Sequence, residues 1–111
     1  MVTDRMHLIH CEECIRRIEM YTKAGRAAFA GSPMAQDAVM WNVHRICYAA
    51  RKVSEQEQAL HPGIEWSRLR SLRKGLVDED LAVDEHAAWD TLERELPALK
   101  HQLRMLLTER I

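Results

Sequence analysis

The chain contains a cluster of basic side chains whose spacing is suited to holding a phosphate group. Arg70, Arg73 and Lys74 recur at steps of one, three and four residues, so on a helix they lie on one side. Guanidinium and ammonium groups arranged in this way bind phosphate oxygens through charge-assisted hydrogen bonds. The alternative is a solvated face, balanced by the acidic run Asp78, Glu79 and Asp80. Taken alone, the pattern favours the solvated face.

Four residues of metal-ligand types share one face of the first predicted helix, namely His7, His10, Cys11 and Cys14. Zinc is commonly bound by such side chains. Residues seven apart are about 10 Å apart along a helix axis, so four ligands on one straight helix converge poorly. Cys11 and Cys14 also border the apolar stripe, where cysteine behaves as a small hydrophobic residue. We therefore expect no metal and no cofactor.

A second stripe on the second predicted helix alternates aromatic and basic side chains, in the order Trp41, Arg45, Tyr48 and Lys52. Aromatic rings and cations together can stack and hold nucleotide bases. Such residues more commonly fill a core or an interface. A nucleotide- or ligand-binding module built on Trp41 and Tyr48 is therefore one hypothesis among several.

The apolar spacing predicts helices that would position these groups. The first runs from about Asp4 to Thr22, with an apolar stripe of Leu8, Cys11, Ile15 and Ile18 on one face. A loop around Gly25 to Gly31 follows. Ser32 then predicts an N-cap with Pro33 at the first helical position, and the second helix runs to about Leu60.

The second half of the chain predicts two further helical stretches. His61-Pro62-Gly63 breaks the chain, and a third helix covers roughly Glu65 to Val77. The last stretch starts near Asp84, and its apolar phase continues across Pro97, which either kinks one long helix or starts a fifth. Short loops and long amphipathic helices predict an all-α, antiparallel bundle of four to five helices.

Length and charge restrict the possible classes of protein. The 111 residues fit one domain, residues 1–111, and the net charge of -1 gives no overall attraction to nucleic acid or membrane. Three cysteines without a disulfide-like spacing favour a reducing compartment. No apolar run approaches the 18 residues of a membrane span. We expect a cytoplasmic protein without membrane contact.

Taken together, several segments resemble the HepT-like proteins of the HEPN superfamily, over nearly the whole chain. The similarity is carried by the order and spacing of Ile18 to Tyr21, Gln36-Asp37-Ala38-Val39 with Asn42, Ala49-Ala50 with Ser54, His61-Pro62-Gly63-Ile64-Glu65-Trp66, Val83-Asp84, Trp89, and Leu96-Pro97-Ala98-Leu99-Lys100 with Gln102-Leu103. The resemblance implies a HEPN-like helical bundle that forms a homodimer. It also implies a toxin paired with a small MNT-type nucleotidyltransferase antitoxin.

The activity that the resemblance implies is metal-independent RNA cleavage. It depends on an arginine that binds the phosphate, a histidine several residues later that serves the 2′-OH, and a tyrosine two positions further on. The antitoxin inactivates the toxin by adding nucleotides to that tyrosine. The arginine is present here as Arg73, but the other positions depart from the pattern. Asp78 stands in place of the histidine, Asp80 in place of the tyrosine, and Lys74 in place of an asparagine that usually follows the arginine. On the second helix, Trp41 and Tyr48 stand where the family usually has an arginine and a glutamate.

These departures predict a groove that no longer cuts RNA by the family mechanism. Histidine can take and give a proton near neutral pH, whereas an aspartate at Asp78 is ordinarily an ionised acceptor only. The acidic run would also repel an RNA phosphate. Our leading hypothesis is a non-catalytic relative that binds a nucleotidyltransferase. The alternatives are an RNase with altered residues, using Arg73, Lys74 and Asp78, and the nucleotide- or ligand-binding module.

Overall fold

The computed structural model describes residues 2–80 and 82–108, and it confirms the all-α fold. Within those residues there is no β-strand, and the only β-type pairing is an isolated bridge between Val77 and Val83. The described helices are α1 (Asp4–Tyr21), α2 (Arg26–Ala30), α3 (Pro33–Lys52), α4 (Glu55–Leu60), α5 (Trp66–Ser71), a 3₁₀ helix (Leu72–Gly75) and α6 (Glu85–Thr108). None of these helices is long and apolar enough to cross a membrane.

The apolar faces of the described helices form one core, in which α1 and α3 are the most extensive helix pair. Leu8, Ile15 and Ile18 of α1 are buried, whereas Trp89 of α6 is half-buried. The other helices contribute further buried residues, among them Val39, Val43, Ile46, Ala50, Leu69, Leu92, Leu96, Leu99, Leu103 and Leu106. The thiol of Cys11 near the middle of α1 donates to the carbonyl oxygen of Ile46 in the second half of α3. The two helices therefore run antiparallel, because the start of α1 also contacts the residues that follow α3.

The prediction of a continuous second helix as far as Leu60 is wrong, because α3 ends at Lys52. Val53 adopts an extended conformation, and Ser54 caps α4 by accepting a hydrogen bond from the amide of Glu57 at 3.2 Å. The carboxylate of Asp4 accepts from both the amide and the hydroxyl of Ser54, at 3.0 and 2.7 Å. Contacts from the start of α1 thus stabilise the break.

The prediction of a loop between Gly25 and Gly31 is also wrong, because this segment contains α2. Gly25 precedes the helix with a φ of 97°, a conformation that glycine adopts more readily than other residues. Phe29 is buried against Trp89, with 5.7 Å between the ring centroids. The side chain of Gln36 donates to the carbonyl of Phe29 at 3.0 Å. Side-chain contacts from α3 and α6 therefore stabilise a helix too short to form alone.

The third predicted helix is shorter than expected, because the α-helical part ends at Ser71 and not near Val77. After Ser71 the chain tightens into the 3₁₀ helix, which ends at Gly75. The hydroxyl of Thr91 donates to the carbonyl of Gly75 at 2.8 Å, and a Cβ at Gly75 would lie 2.7 Å from the Thr91 side chain. A side chain at this position would therefore clash with α6.

The last predicted stretch is one helix, so Pro97 does not start a fifth one. Asp84 caps α6 as predicted, since its carboxylate accepts from the amide of Ala87 at 3.0 Å. The helix then continues from Glu85 through Pro97 to Thr108. Leu92, Leu96 and Leu99, on both sides of the proline, are all buried, and this packing maintains the helix across Pro97.

Candidate functional site

The two cations at the centre of the predicted motif lie on the 3₁₀ helix that follows α5. Arg73 and Lys74 are exposed, and their side chains make no hydrogen bond or ion pair with any residue that the structure describes. Both are therefore available to bind an anion from solvent. This geometry is compatible with the phosphate role predicted for them.

Arg70 differs from its two basic neighbours because it is already engaged within the fold. It is half-buried in α5, and its guanidinium donates to the side-chain oxygen of Gln58 at 2.8 Å. Gln58 in turn donates to the carbonyl of Val53 at 3.0 Å. The predicted phosphate-binding set of Arg70, Arg73 and Lys74 thus includes one arginine that connects α5 to α4. A phosphate at Arg70 would have to compete with that contact.

The residue at the predicted histidine position, Asp78, forms a turn. One oxygen of its carboxylate accepts from the amide of Asp80 at 2.8 Å and from the amide of Ala82 at 3.1 Å. The amide of Asp78 donates to the carbonyl of Ala82 at 2.9 Å. Asp78, Glu79 and Asp80 are all exposed on this turn. The three acidic side chains thus begin four positions after Lys74, and Asp78 Oδ1 accepts hydrogen bonds from backbone donors.

Trp41 and Tyr48 lie on the exposed side of α3, with 60% and 54% of their surface accessible. The Trp41 ring stacks on His44, with 5.8 Å between the centroids, and Lys52 Nζ lies 5.2 Å from the centroid of Tyr48. Both aromatic residues line a shallow depression of about 290 Å³ together with His10, His44 and Arg45. Sequence reasoning did not single out His44, although its position three residues after Trp41 places the two side chains on one helix face.

The depression contains Trp41 and Tyr48, but it is built from other elements than the part of the motif that runs from Arg73 to Asp80. The residues that line the depression come from α1 and α3 and do not include Arg73, Lys74, Asp78 or Asp80. The structure thus brings Trp41 and Tyr48 together with Arg45, as the stripe predicts. A ligand-binding role for this aromatic and basic surface stays a prediction.

The histidines and cysteines of α1 are arranged as core and near-core residues. Cys11 and Cys14 are buried, and His10 Nε2 lies 3.7 Å from Cys14 Sγ. Burial raises the pKa of the Cys11 thiol to about 12 and also raises the pKa of Cys14. Burial, followed by the positive charge of Arg45, lowers the pKa of His10. Among the described residues no three His, Cys, Asp or Glu side chains converge as metal ligands.

Comparisons with known proteins identify the relatives of the chain. The family model described as HepT-like, ribonuclease HepT-like, matches residues 11–106. The chain is 26% identical over 106 residues to a "Gamma-glutamylcyclotransferase and putative RNase" of Methanocaldococcus jannaschii, covering 95% of this chain and 48% of that protein, so it spans about half of that relative.

Two shorter relatives match over nearly their whole length. A "Putative RNase" of Caldanaerobacter subterraneus subsp. tengcongensis is 25% identical over 108 residues, with 96% of each protein covered. A "Probable ribonuclease HepT" of Thermococcus cleftensis is 26% identical over 106 residues, covering 92% of this chain and 96% of that protein. No solved structure matches the chain significantly.

Proposed function

Because this chain belongs to the ribonuclease HepT-like family, we propose that it is a relative that no longer cleaves RNA through the family motif. The observation that carries this proposal is the turn formed by Asp78. Its Oδ1 atom accepts from two backbone amides, at 2.8 and 3.1 Å, at the position where the family has a histidine. The side chain thus serves as a structural acceptor in the turn.

Cleavage by the family mechanism needs a proton acceptor at the 2′-OH and a cation at the phosphate. Arg73 and Lys74 can supply the cation, since their side chains have no partner within the described residues. A carboxylate held by backbone amides and followed by Glu79 and Asp80 is a poor replacement for a histidine. Loss of a positioned acid–base group costs about 100- to 10,000-fold in rate.

We further propose that the protein acts in the cytoplasm as the binding partner of an MNT-type nucleotidyltransferase, within a toxin–antitoxin type of module. The support for this is membership of the HepT-like family, because the family resemblance implies a toxin that is paired with such an enzyme. Asp80 stands at the position of the tyrosine that the partner modifies in the family. A carboxylate is a different acceptor from a phenol, so the proposed association needs no transfer of nucleotides to this site.

The cleavage part of the proposal is tested with purified wild-type protein and total tRNA on a denaturing gel. We expect no cleavage, and no growth defect when the protein is expressed alone. The Arg73→Ala variant is the matched control, because any contaminating nuclease would cut equally in both preparations. Cleavage by the wild type that is lost in Arg73→Ala would show that the altered site is active.

The partnership is tested by co-purification with a nucleotidyltransferase encoded beside this protein. We expect a stable complex and no added nucleotide on the peptide that contains Asp80, as read by mass spectrometry after incubation with ATP. A mass shift that maps to that peptide would contradict the second expectation. Failure to co-purify would contradict the partnership itself.

The second candidate function is an RNase that uses the altered residues. The names of the three relatives favour it, since each includes the word RNase or ribonuclease. In this case Arg73 and Lys74 would hold the phosphate, and Asp78 would have to release its backbone amides to act as a base. The same tRNA assay distinguishes the two candidates, and Asp78→Asn would abolish activity only in the second.

A further inference from the structure

A small pocket lies between the C-terminal end of α1 and the middle of α6, and we call it the α1–α6 pocket. Its apolar part is formed by Trp89, Leu92, Leu96 and Pro97, and its polar part by Glu19, Thr22 and Glu93. Its volume is about 150 Å³. The pocket is separate from the predicted motif and from the depression beside Trp41, so neither of those sites accounts for it.

The polar side chains of the α1–α6 pocket offer hydrogen-bond acceptors. The hydroxyl hydrogen of Thr22 is already donated to the carbonyl of Ile18, at 2.8 Å. Glu19 accepts from Lys100 Nζ at 3.0 Å and keeps further lone pairs. The exposed Glu93 carboxylate makes no hydrogen bond or close ion pair with the part of the chain that the structure describes, although its charge interacts with the guanidinium of Arg26. The polar side chains that line the pocket are therefore mainly acceptors.

Pro97 adds a backbone acceptor to the same place. Proline has no amide hydrogen, so the carbonyl oxygen of Glu93, four residues earlier, lacks its usual donor in α6. Glu93 and Pro97 both line the pocket. The missing helical hydrogen bond at Pro97 and the Glu93 carboxylate thus lie at one point of the surface. Both the carbonyl and the carboxylate of Glu93 can accept a hydrogen bond from a partner.

The size of the α1–α6 pocket indicates what kind of group would enter it. Pockets for small-molecule ligands and cofactors typically measure about 300–1,000 Å³, whereas about 150 Å³ is suited to one long side chain. Lysine and arginine carry an apolar stem and a cation at the tip, which matches an apolar wall with acceptors at its rim. The ring of Trp89 can also attract a cation.

We propose that the α1–α6 pocket is a docking site for a protein partner that inserts one basic side chain, an arginine or a lysine. The stem would pack on Leu92, Leu96 and Pro97, and the cation would contact the Glu93 carboxylate and carbonyl. Exposed apolar surface on Met20 and Tyr21, at the same end of α1, extends the area available to the partner. The proposal holds whether or not the protein cleaves RNA.

The test uses nuclear magnetic resonance on the full, ¹⁵N-labelled chain, titrated with N-acetyl-Gly-Arg-Gly-amide. The matched ligand carries citrulline in place of arginine, which has nearly the same shape but no charge. We expect amide shifts confined to α1 and α6 around the pocket, with a Kd on the order of 1 mM for the single side chain. The citrulline peptide should bind about tenfold more weakly.

Two variants test the acceptors separately. Glu93→Gln removes the carboxylate charge in α6 and should weaken arginine binding about fivefold. Glu13→Gln changes an exposed glutamate of α1 outside the pocket and should leave binding unchanged. Pro97→Ala supplies an amide donor to the Glu93 carbonyl and should also weaken binding, about threefold. The same variant should raise the midpoint of urea unfolding, because it restores the helical hydrogen bond between the amide of residue 97 and the carbonyl of Glu93.

Three results would overturn the proposal. The first is equal binding of the arginine and citrulline peptides. The second is a set of shifts that maps to the acidic turn at Asp78 to Asp80 and leaves the pocket unchanged. The third is a shift of the pocket amides that depends on protein concentration in the absence of peptide, together with a dimer mass in sedimentation that becomes a monomer mass in Glu93→Gln. That result would identify a second copy of this chain as the occupant.

Discussion

The Asp78 carboxylate accepts from the amides of Asp80 and Ala82, and so one side chain shapes the whole turn between the 3₁₀ helix and α6. A neutral histidine offers a single acceptor nitrogen, whereas a carboxylate oxygen accepts two hydrogen bonds. At the scale of the residue, an aspartate at the position where the resemblance predicts a histidine differs both in its acid–base chemistry and in the number of backbone amides that one atom can hold. Of the motif positions that the resemblance predicts, Arg73 is the one that keeps the family residue.

The double variant Asp78→His with Asp80→Tyr tests whether these two positions limit cleavage. We expect weak tRNA cleavage that is lost again when Arg73→Ala is added, because the histidine restores a group that can take and give a proton. The rate should stay low, since Lys74, Trp41 and Tyr48 also depart from the pattern. A folded double variant with no cleavage on a tRNA gel would show that other positions are limiting.

The three cysteines provide a second prediction at the residue scale. Cys11, Cys14 and Cys47 are all free thiols and all buried. We expect no reaction of the native protein with an Ellman-type thiol reagent near pH 8, because burial raises the pKa of Cys11 to about 12 and also raises that of Cys14. All three should react in denaturant. A fast-reacting thiol in the native protein would contradict the core position given to these side chains.

At the scale of the element, the break between α3 and α4 depends on a contact that spans the chain. Ser54 follows α3, and Asp4 precedes it by 50 positions. Ser54 donates to Asp4 through both its amide and its hydroxyl and accepts from Glu57. These hydrogen bonds thus connect the junction between α3 and α4 to the start of α1.

The Asp4–Ser54 contact should make stability depend on pH in acid. The hydroxyl of Ser54, and then its amide, lower the pKa of Asp4 below 3.8 in the folded state. Its contribution is therefore present above the unfolded pKa and is lost as the pH falls through the folded pKa. Solvent partly screens this contact, so Asp4→Asn should cost only about 0.5 kcal/mol near pH 7 and less near pH 3.

Urea unfolding of the wild type and of Asp4→Asn at the two pH values measures this difference. The exposed Asp37→Asn is the matched control, and it should leave the pH dependence unchanged. An equal loss of stability at both pH values would contradict the role given to the Asp4 carboxylate.

At the scale of the whole molecule, the chain encloses one core, with exposed aromatic and apolar residues left on its surface. Trp41 and Tyr48 are among the largest of these. The face beside them also carries Arg45 and Lys52, and a twofold interface would bring these like charges together. We therefore expect any homodimer to use a surface that does not centre on Arg45.

Sedimentation tests the homodimer that the family resemblance implies. We expect a particle of twice 12.9 kDa at micromolar concentration, because a domain of this size gains stability from association. Trp41→Ala should leave the mass unchanged if the charged face lies outside the interface. A monomer at these concentrations would contradict the expectation, and a monomer only in Trp41→Ala would place the interface on that face.

The sequence by itself determined those features that depend on neighbours along the chain. Apolar periodicity predicted the buried stripes, including Leu8, Ile15 and Ile18, and local capping chemistry predicted the starts of α3 at Ser32 and of α6 after Asp84. The order and spacing of the family segments identified the HepT-like family, which the family match confirms.

Only the tertiary structure decided features that depend on residues far apart in the chain. Asp4 stabilises the break between α3 and α4 by contacting Ser54, which lies 50 positions later. Thr91 leaves no room for a side chain at Gly75, which lies 16 positions earlier. Arg70 is occupied by Gln58, and the α1–α6 pocket forms only where two helices meet. Periodicity reports which face of an element is apolar, but it holds no information on which distant side chain will meet that face.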